Sequence, residues 1–187
     1  MTATHDAPTA TSTASKVPVF SLPQTELLTV NLDDIPMLKD ALGPGSHFQP
    51  LFLDPEIGVW ALMATFAPGV ELPIHLHTGT VHGYTISGKW IYKEYPDQPQ
   101  TAGSYLYEPA SSVHTLAVPE DNTESTVILF IIYGANVSFT DDGQFHSVLD
   151  AITVMKLTEQ LAQAQGLPPV PYITGGFAGL ARSHVAP

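Results

Sequence analysis

Short apolar stretches, separated by turn residues, follow one another along most of the chain. Each stretch alternates or clusters aromatic and β-branched side chains and is bounded by Gly, Pro, Asp or Asn. This pattern is typical of strands joined by tight turns, and many short strands at regular spacing favour a β-sandwich or barrel over alternating β and α units. Predicted strands are 27–32, 49–53, 58–66, 70–77, 81–87, 89–95, 104–108, 112–118 and 125–139.

Helical periodicity occurs in only two segments. Residues 35–42 predict a short helix ended by the GPG that follows, and residues 149–166 predict a longer one. The longer segment carries apolar residues at helical spacing, and Gly166 is a suitable C-terminal cap with Pro168 beyond it. The fold class predicted is therefore all-β, with a short C-terminal helix.

The two ends of the chain differ in composition from the strand-rich middle. Residues 1–20 are rich in Thr, Ala and Ser, and the segment after the predicted helix is rich in Pro and Gly. We expect an extended or disordered N-terminal arm over 1–20, a β-barrel over 21–147, and a C-terminal helix and extended arm over 148–187. No internal repeat or second domain is indicated.

Composition excludes several kinds of partner and of metal ligand. Hydrophobic residues make up 44% of the 187, enough for a core, while 18 acidic against 6 basic residues give a net charge of −12. Nucleic acids and anionic membranes are therefore unsuitable partners. No segment resembles a signal peptide or a membrane span, so we expect a cytoplasmic protein. Without cysteine, a metal site must use His, Asp or Glu.

Three histidines lie close together in residues 73–88. In a strand, His75 and His77 would point to the same face because side chains alternate with a period of two. An HxH pair alone is a weak signal. His82 follows after a TGT turn, and parity leaves open whether His82 or its neighbour Val81 faces inward.

The context of these histidines resembles the two motifs of cupins. The first is matched by Gly69, VELPI, His75, His77 and a closing Gly88, and the second by Gly103, SYLYE, Pro109, His114 and Val118. The resemblance implies a single-domain jelly-roll barrel with metal ligands His75, His77 and His114. It puts Val81 at the place of the motif's glutamate and turns His82 outward. Ser111 and Val118 replace the motif's Gly and Asn.

A longer stretch, with HTGTVH, YPDQPQTAGSYLYEP and SVHT, resembles the 2,4′-dihydroxyacetophenone dioxygenase group of cupins. The resemblance implies an Fe(II) dioxygenase that uses O₂ to cleave a C–C bond of an aryl ketone or α-hydroxyketone into two carboxylic acids. Three imidazoles without a carboxylate leave open positions that suit Fe(II), with Zn²⁺ as the alternative. Cupins are commonly homodimers or homotetramers, and we expect the same here.

Two carboxylates are candidates for a catalytic role. Glu108, shortly before His114, is predicted to be a base or a partner that orients a ligand, with an exposed strand-end position as the alternative. Glu94 is the second candidate, with a solvated hairpin as its alternative. The expected substrate pocket is lined by Phe66, Val81, Tyr84, Trp90 and Tyr92.

A competing hypothesis is a non-catalytic zinc-binding cupin that acts as a sensor or regulator of the anti-sigma type. The apparent loss of the motif's glutamate at Val81 and the short Thr/Ala-rich N-terminal segment disfavour it. A sugar-binding or isomerase cupin has less support, because such sites add Lys or Arg for phosphate and this chain has few basic residues.

Overall fold

The computed structural model describes residues 27–176, so the predicted arm 1–20 and the end of the C-terminal arm lie outside the described residues. Within the described range the chain is mostly β, as predicted. A single turn of 3₁₀-helix spans Leu32–Asp34, and one α-helix, α1, spans Ala151–Ala164. The strands are β1 Ser46–Asp54, β2 Val59–Phe66, β3 His75–His77, β4 Val81–Ser87, β5 Lys89–Tyr92, β6 Gln100–Thr101, β7 Tyr105–Glu108, β8 Val113–His114, β9 Leu116–Ala117, β10 Thr126–Tyr133, β11 Asn136–Phe139, β12 Phe145–Leu149 and β13 Ile173–Thr174.

The largest sheet has six strands in the order β13-β1-β2-β10-β4-β7. Its central strand pairs are antiparallel, and only the edge strand β13 runs parallel to its neighbour β1. Along β10, Thr126, Ile128, Phe130 and Ile132 are buried and alternate with partly exposed residues. One face of this sheet therefore forms the wall of the core.

Two smaller sheets complete the fold. One has the order β12-β11-β3-β8 and the other the order β6-β5-β9. The core is built from the inward side chains of the strands, and its largest fully buried members include Trp60, Trp90 and Ile128. Antiparallel sheets that surround one core confirm the prediction of a single-domain, all-β fold.

A tight turn at Gly88 joins β4 to β5. The backbone φ of Gly88 is +79°, and a Cβ there would lie 2.7 Å from the Thr126 Cα. A side chain would therefore be excluded both by conformation and by the approach of β10. Ser111, which replaces a motif glycine, keeps the same left-handed conformation with a φ of +69°.

Helix α1 begins and ends within the predicted segment 149–166. Asp150 caps it, because its carboxylate accepts a hydrogen bond from the Thr153 N–H and the Thr153 hydroxyl reaches back to the Asp150 N–H. Val154 and Ala162 are among the side chains that it buries. No described helix is long and apolar enough to cross a membrane.

Two predicted elements were wrong, and the predicted strand 125–139 is two strands, β10 and β11, in different sheets. Residues 35–42 form no helix, because the backbone of Leu38 exchanges hydrogen bonds with Phe48 of β1. Residues 27–32 form no strand, and the 3₁₀ turn begins at Leu32. In both segments a tertiary pairing or a local turn replaces the conformation that the apolar pattern favours.

Candidate metal centre

Strands β3 and β8 bring three histidines together. His75 and His114 are direct cross-strand partners, and His77 lies two residues after His75 on the same buried face. Leu76 between them is only partly buried, as strand alternation requires. The ring centroids are 4.8–4.9 Å apart, and one nitrogen from each ring lies within 4.8 Å of the other two. Among residues 27–176 this is the single cluster of its kind.

The ring of His75 is held in one tautomer by the backbone. Its Nδ1 lies 2.8 Å from the carbonyl oxygen of Pro73, which can only accept a hydrogen bond. Nδ1 therefore carries the proton, and the lone pair of Nε2 is left for a ligand. Burial lowers the pKa of His75 to about 4, so the ring is neutral at pH 7.

A carboxylate joins the histidines from another strand. Glu108 at the end of β7 is the cross-strand partner of Val81, and it is only 3% exposed. Its Oε2 lies 2.9 Å from the His77 Nε2 and 3.0 Å from the His114 Nε2. The alternative of an exposed strand-end carboxylate was therefore wrong, and a carboxylate oxygen lies beside the three imidazoles.

These donor atoms have the spacing of metal ligands. The Nε2 atoms of His77 and His114 are 3.0 Å apart, which completes a triangle with the Glu108 Oε2. Bonds of about 2.1 Å to a divalent metal place neighbouring octahedral ligands about 3 Å apart. The buried Oε2 makes no hydrogen bond of good geometry. The site thus offers two imidazole nitrogens and a buried carboxylate oxygen that lacks a hydrogen bond. Such a set of donor atoms fits a divalent cation.

Tyr92 contacts two members of this cluster, Glu108 and His114. Its hydroxyl donates a hydrogen bond to the Glu108 Oε1, and its ring stacks on His114 with centroids 3.8 Å apart. Burial, followed by the nearby Glu108, raises the pKa of Tyr92 well above its usual value, so it remains a donor. Burial alone would raise the pKa of Glu108, but the His114 and His77 rings hold it well below its usual range. Glu108 is thus anionic at neutral pH.

Cavities approach the cluster from two sides: one of about 220 Å³ is lined by Tyr92, Glu108 and His114, and two neighbouring ones meet at His75. A small one of about 50 Å³ is lined by His75, His77 and Glu108, together with the predicted pocket residues Phe66, Val81 and Tyr92. A larger one of about 340 Å³ lies between Leu72, Leu157 and β12. The two share Leu42, Leu72, His75, Asn136 and Leu149, so His75 stands at their junction.

The remaining predicted residues lie elsewhere. Tyr84 points to the outside of β4, is 44% exposed and lines neither cavity, because strand alternation places it opposite to Val81. Trp90 is fully buried and donates to the Thr85 hydroxyl, also outside both linings. Glu94 accepts a hydrogen bond from the Thr115 N–H and does not reach the cluster. His82 points outward and meets Tyr105.

Asn136 was missed by the sequence-based prediction. It is the cross-strand partner of His77 on β11, it lines both cavities, and its buried Oδ1 has no hydrogen-bond partner. The buried Nδ1 of His77 also has none. Both atoms are therefore available to a ligand, a water or each other. No local signal marks Asn136, because the pairing of β11 with β3 joins distant segments.

Known proteins provide an independent comparison. The family model described as the ChrR Cupin-like domain matches residues 25–136. A crystal structure from Ralstonia eutropha JMP134, described as a protein of unknown function with a cupin-like fold, is 44% identical, with a TM-score of 0.77, and the match covers 83% of this chain and 96% of that one. An RmlC-like cupin protein from the same organism is 28% identical over 78% of this chain and 93% of that one, with a TM-score of 0.72.

More distant structures share the fold alone. An acetylacetone dioxygenase from Acinetobacter johnsonii is 16% identical, with a TM-score of 0.60, over 76% of this chain and 97% of that one. No curated protein matched the chain. The family match covers more than half of the residues and includes β3, β7 and β8, the strands that carry the histidines and Glu108. This chain therefore belongs to the ChrR Cupin-like domain family of the cupins.

Proposed function

We propose that this protein is a non-haem Fe(II) dioxygenase that cleaves a C–C bond of an α-hydroxyketone, with an aryl ketone such as a 2-hydroxyacetophenone as substrate. One O₂ adds across the bond between the carbonyl and hydroxymethyl carbons, so the products are an aryl carboxylic acid and formic acid. The observation that carries the proposal is the cluster of metal-ligand atoms where two cavities without Lys or Arg meet.

The residues that would hold the iron are His75, His77 and His114, with Glu108 facing the same point. When bound, Fe(II) supplies Lewis-acid activation of a ketone that chelates through oxygen, and it supplies electrons for the reaction with O₂. The distant fold likeness to an acetylacetone dioxygenase is consistent with this chemistry, although at 16% identity it supports the fold only.

The cavities favour a small neutral substrate. Neither lining contains Lys or Arg, so a phosphate or carboxylate of a substrate would find no cationic partner there. The larger cavity, about 340 Å³, is of the size that holds small ligands, while the inner cavity of about 50 Å³ is not. An aryl ring would lie against Leu72, Leu149 and Leu157, with its ketone end directed to His75.

Glu108 is better suited to holding the metal site than to acting as a base. Burial would raise its pKa, but the two histidine rings stabilise its anionic form and lower its pKa, so it takes up a proton less readily than an ordinary carboxylate. The same contacts fix the direction in which its Oε2 points. We therefore assign Glu108 a positioning role beside the imidazoles, and Tyr92 a role in orienting Glu108 and His114.

The carboxylate of Glu108 also supports a second candidate function. Three histidines and Glu108 offer four protein ligands, which is the closed set that suits tightly held zinc. A non-catalytic zinc-binding cupin, which senses or regulates in the manner of anti-sigma cupins, is the alternative. The open larger cavity beside His75 favours the dioxygenase, because a closed structural site has no use for a substrate pocket.

One experiment separates the two functions. The protein is purified anaerobically, its iron and zinc are measured by mass spectrometry, and O₂ uptake is followed with 2-hydroxyacetophenones and β-diketones. The dioxygenase predicts stoichiometric iron and one O₂ consumed per ketone lost, with an aryl acid as product. Tightly bound zinc without O₂ uptake, even after exchange to Fe(II), would refute the proposal and support the regulator.

A further inference from the structure

His77 directs its Nε2 atom into the triangle of metal-ligand atoms. This nitrogen lies 2.9 Å from the Glu108 Oε2 and 3.0 Å from the His114 Nε2. A neutral imidazole has one N–H, so a ring that offers the lone pair of Nε2 to a metal carries its proton on Nδ1. Because His77 is buried, this N–H needs an acceptor within the protein.

The two histidines of β3 differ in their second ring nitrogen. The Nδ1 of His75 lies 2.8 Å from the carbonyl oxygen of Pro73, whereas the buried Nδ1 of His77 makes no hydrogen bond with any described residue. A buried N–H without an acceptor loses its bond to water and gains none in exchange. Histidines that bind metals almost always donate their second N–H to an oxygen atom. His77 therefore lacks a partner that His75 has.

Asn136 lies directly opposite His77 on the neighbouring strand β11. Thr78, which follows His77, donates its N–H to the carbonyl of Ala135, which precedes Asn136. Hydrogen-bonded and non-hydrogen-bonded pairs alternate along an antiparallel ladder, so His77 and Asn136 form a non-hydrogen-bonded pair. The Cα atoms of such a pair are about 4.5 Å apart, and the two side chains lie close together on one face of the sheet.

The side-chain amide of Asn136 offers the acceptor that His77 lacks. The Asn136 Oδ1 is buried and, like the His77 Nδ1, makes no hydrogen bond with any described residue. An amide oxygen can only accept, so the two unpaired atoms are a matching donor and acceptor. Both residues line the cavity of about 50 Å³. Since no hydrogen bond holds the Asn136 Oδ1 elsewhere, rotation about the side-chain bonds of Asn136 can bring it to the ring.

Ser112, on the other side of His77, is a less suitable acceptor, although its Oγ is also buried and unpaired. The chain bulges there, because the His77 carbonyl accepts from the Ser111 N–H while the His77 N–H donates to the Ser112 carbonyl. Ser112 lines the cavity of about 220 Å³ together with Glu108 and His114, and His77 is not part of that lining. The shared cavity therefore favours Asn136.

We propose that Asn136 is a positioning residue for His77: its Oδ1 accepts a hydrogen bond from the His77 Nδ1–H and so fixes both the tautomer and the direction in which Nε2 points. Asn136 then has the role for His77 that the Pro73 carbonyl has for His75. The inference rests on the metal centre of the proposed function but not on its reaction, because the tests measure metal binding and a proton signal rather than O₂ uptake.

The first test removes the acceptor and measures the affinity for Zn²⁺ by competition with a chelating dye. Asn136→Leu keeps a side chain of similar size without the oxygen, so the affinity should fall about 10- to 100-fold. Asn136→Asp keeps an acceptor at the same place and should bind Zn²⁺ at least about 10-fold more tightly than Asn136→Leu. Ser138→Ala is the matched control, because Ser138 lies opposite His75, whose Nδ1 already has its acceptor.

The proposal is overturned if Asn136→Leu binds Zn²⁺ as tightly as Ser138→Ala does, or if Asn136→Asp binds it as weakly as Asn136→Leu. Ser112→Ala tests the other side of His77. A loss of affinity in that variant, with none in Asn136→Leu, would assign the acceptor to Ser112 and overturn the proposal. Circular dichroism of each variant reports whether the fold is kept.

A proton signal tests the hydrogen bond in the unaltered chain. In the nitrogen-15-labelled protein loaded with Zn²⁺, a hydrogen-bonded imidazole N–H gives a downfield resonance that exchanges slowly with water. We expect such a resonance from the Nδ1–H of both His75 and His77, with loss of the His77 resonance alone in Asn136→Leu. Fast exchange of the His77 Nδ1–H in the unaltered protein, or a His77 resonance that persists in Asn136→Leu, would overturn the proposal even where that variant binds metal poorly.

Discussion

Strands β4 and β7 contain two neighbouring cross-strand pairs whose side chains lie on opposite faces of the sheet. Val81 pairs with Glu108 and faces the metal centre, while His82 pairs with Tyr107 and faces outward. By residue type, the histidine would be the ligand and the terminal glutamate the surface residue. Strand alternation, and not residue chemistry, therefore decides which side chain reaches the site.

The same pair also explains how the site keeps a carboxylate. The motif's glutamate position holds Val81, but the residue directly opposite on β7 is Glu108. Side chains of directly opposed residues lie on the same face of a sheet, so the carboxylate reaches the same space from the adjacent strand. A valine at position 81 therefore does not exclude a four-ligand zinc site.

The largest effect is expected from loss of a ligand on the inward side. His114→Ala should remove metal binding almost completely, because a three-histidine set loses both a donor and the cross-strand partner of His75. The matched change on the outer side, His82→Ala, should leave metal content unaltered. Plasma mass spectrometry after dialysis measures both, and full occupancy in the His114 variant would show that this ring is not a ligand.

The next largest effect is expected from Val81→Glu. A second buried carboxylate beside Glu108 adds like charges in a place without solvent, so the metal-free protein should lose about 3 kcal/mol of unfolding free energy. Added divalent metal should restore much of that loss. Urea unfolding with and without metal measures it, and the control His82→Glu should cost far less because position 82 faces outward. Equal losses for the two variants would contradict the assigned faces.

A smaller effect is expected from Glu108→Gln, which keeps the shape and removes the charge. Metal affinity should fall about 10- to 100-fold, in line with the loss of a partner that orients or directly contacts a bound metal. Glu94→Gln is the matched control, since Glu94 binds the Thr115 backbone away from the cluster. Competition with a chelating dye gives the affinities; an unchanged affinity for the Glu108 variant would exclude its role at the site.

The smallest effect is expected from Tyr92→Phe. The ring still stacks on His114, but Glu108 loses the hydroxyl that holds its Oε1. Loss of one hydrogen bond to a charged group predicts about a tenfold decrease in metal affinity. Tyr95→Phe, at an exposed tyrosine, serves as control in the same dye competition. A decrease larger than that of Glu108→Gln would mean that Tyr92 contacts the metal or the substrate itself.

Much of the fold was predictable because its signals are local. Turn residues and short apolar stretches mark the strands, and the Asp150 to Thr153 capping box marks the start of α1. The failures at 27–32 and 35–42 occurred where apolar residues are held by pairing with β1 or by a 3₁₀ turn. A local pattern carries no information on such contacts.

By itself the sequence determined that His75 and His77 share a face, since their spacing matches the period of a strand. The cupin resemblance added His114. Only the tertiary structure decided that β4 turns Val81 inward and that Glu108 and Tyr92 complete the cluster. It also decided that Tyr84 points outward from β4. The physical reason is that register between strands is set by packing of the whole sheet, and a shift by one residue would exchange its two faces.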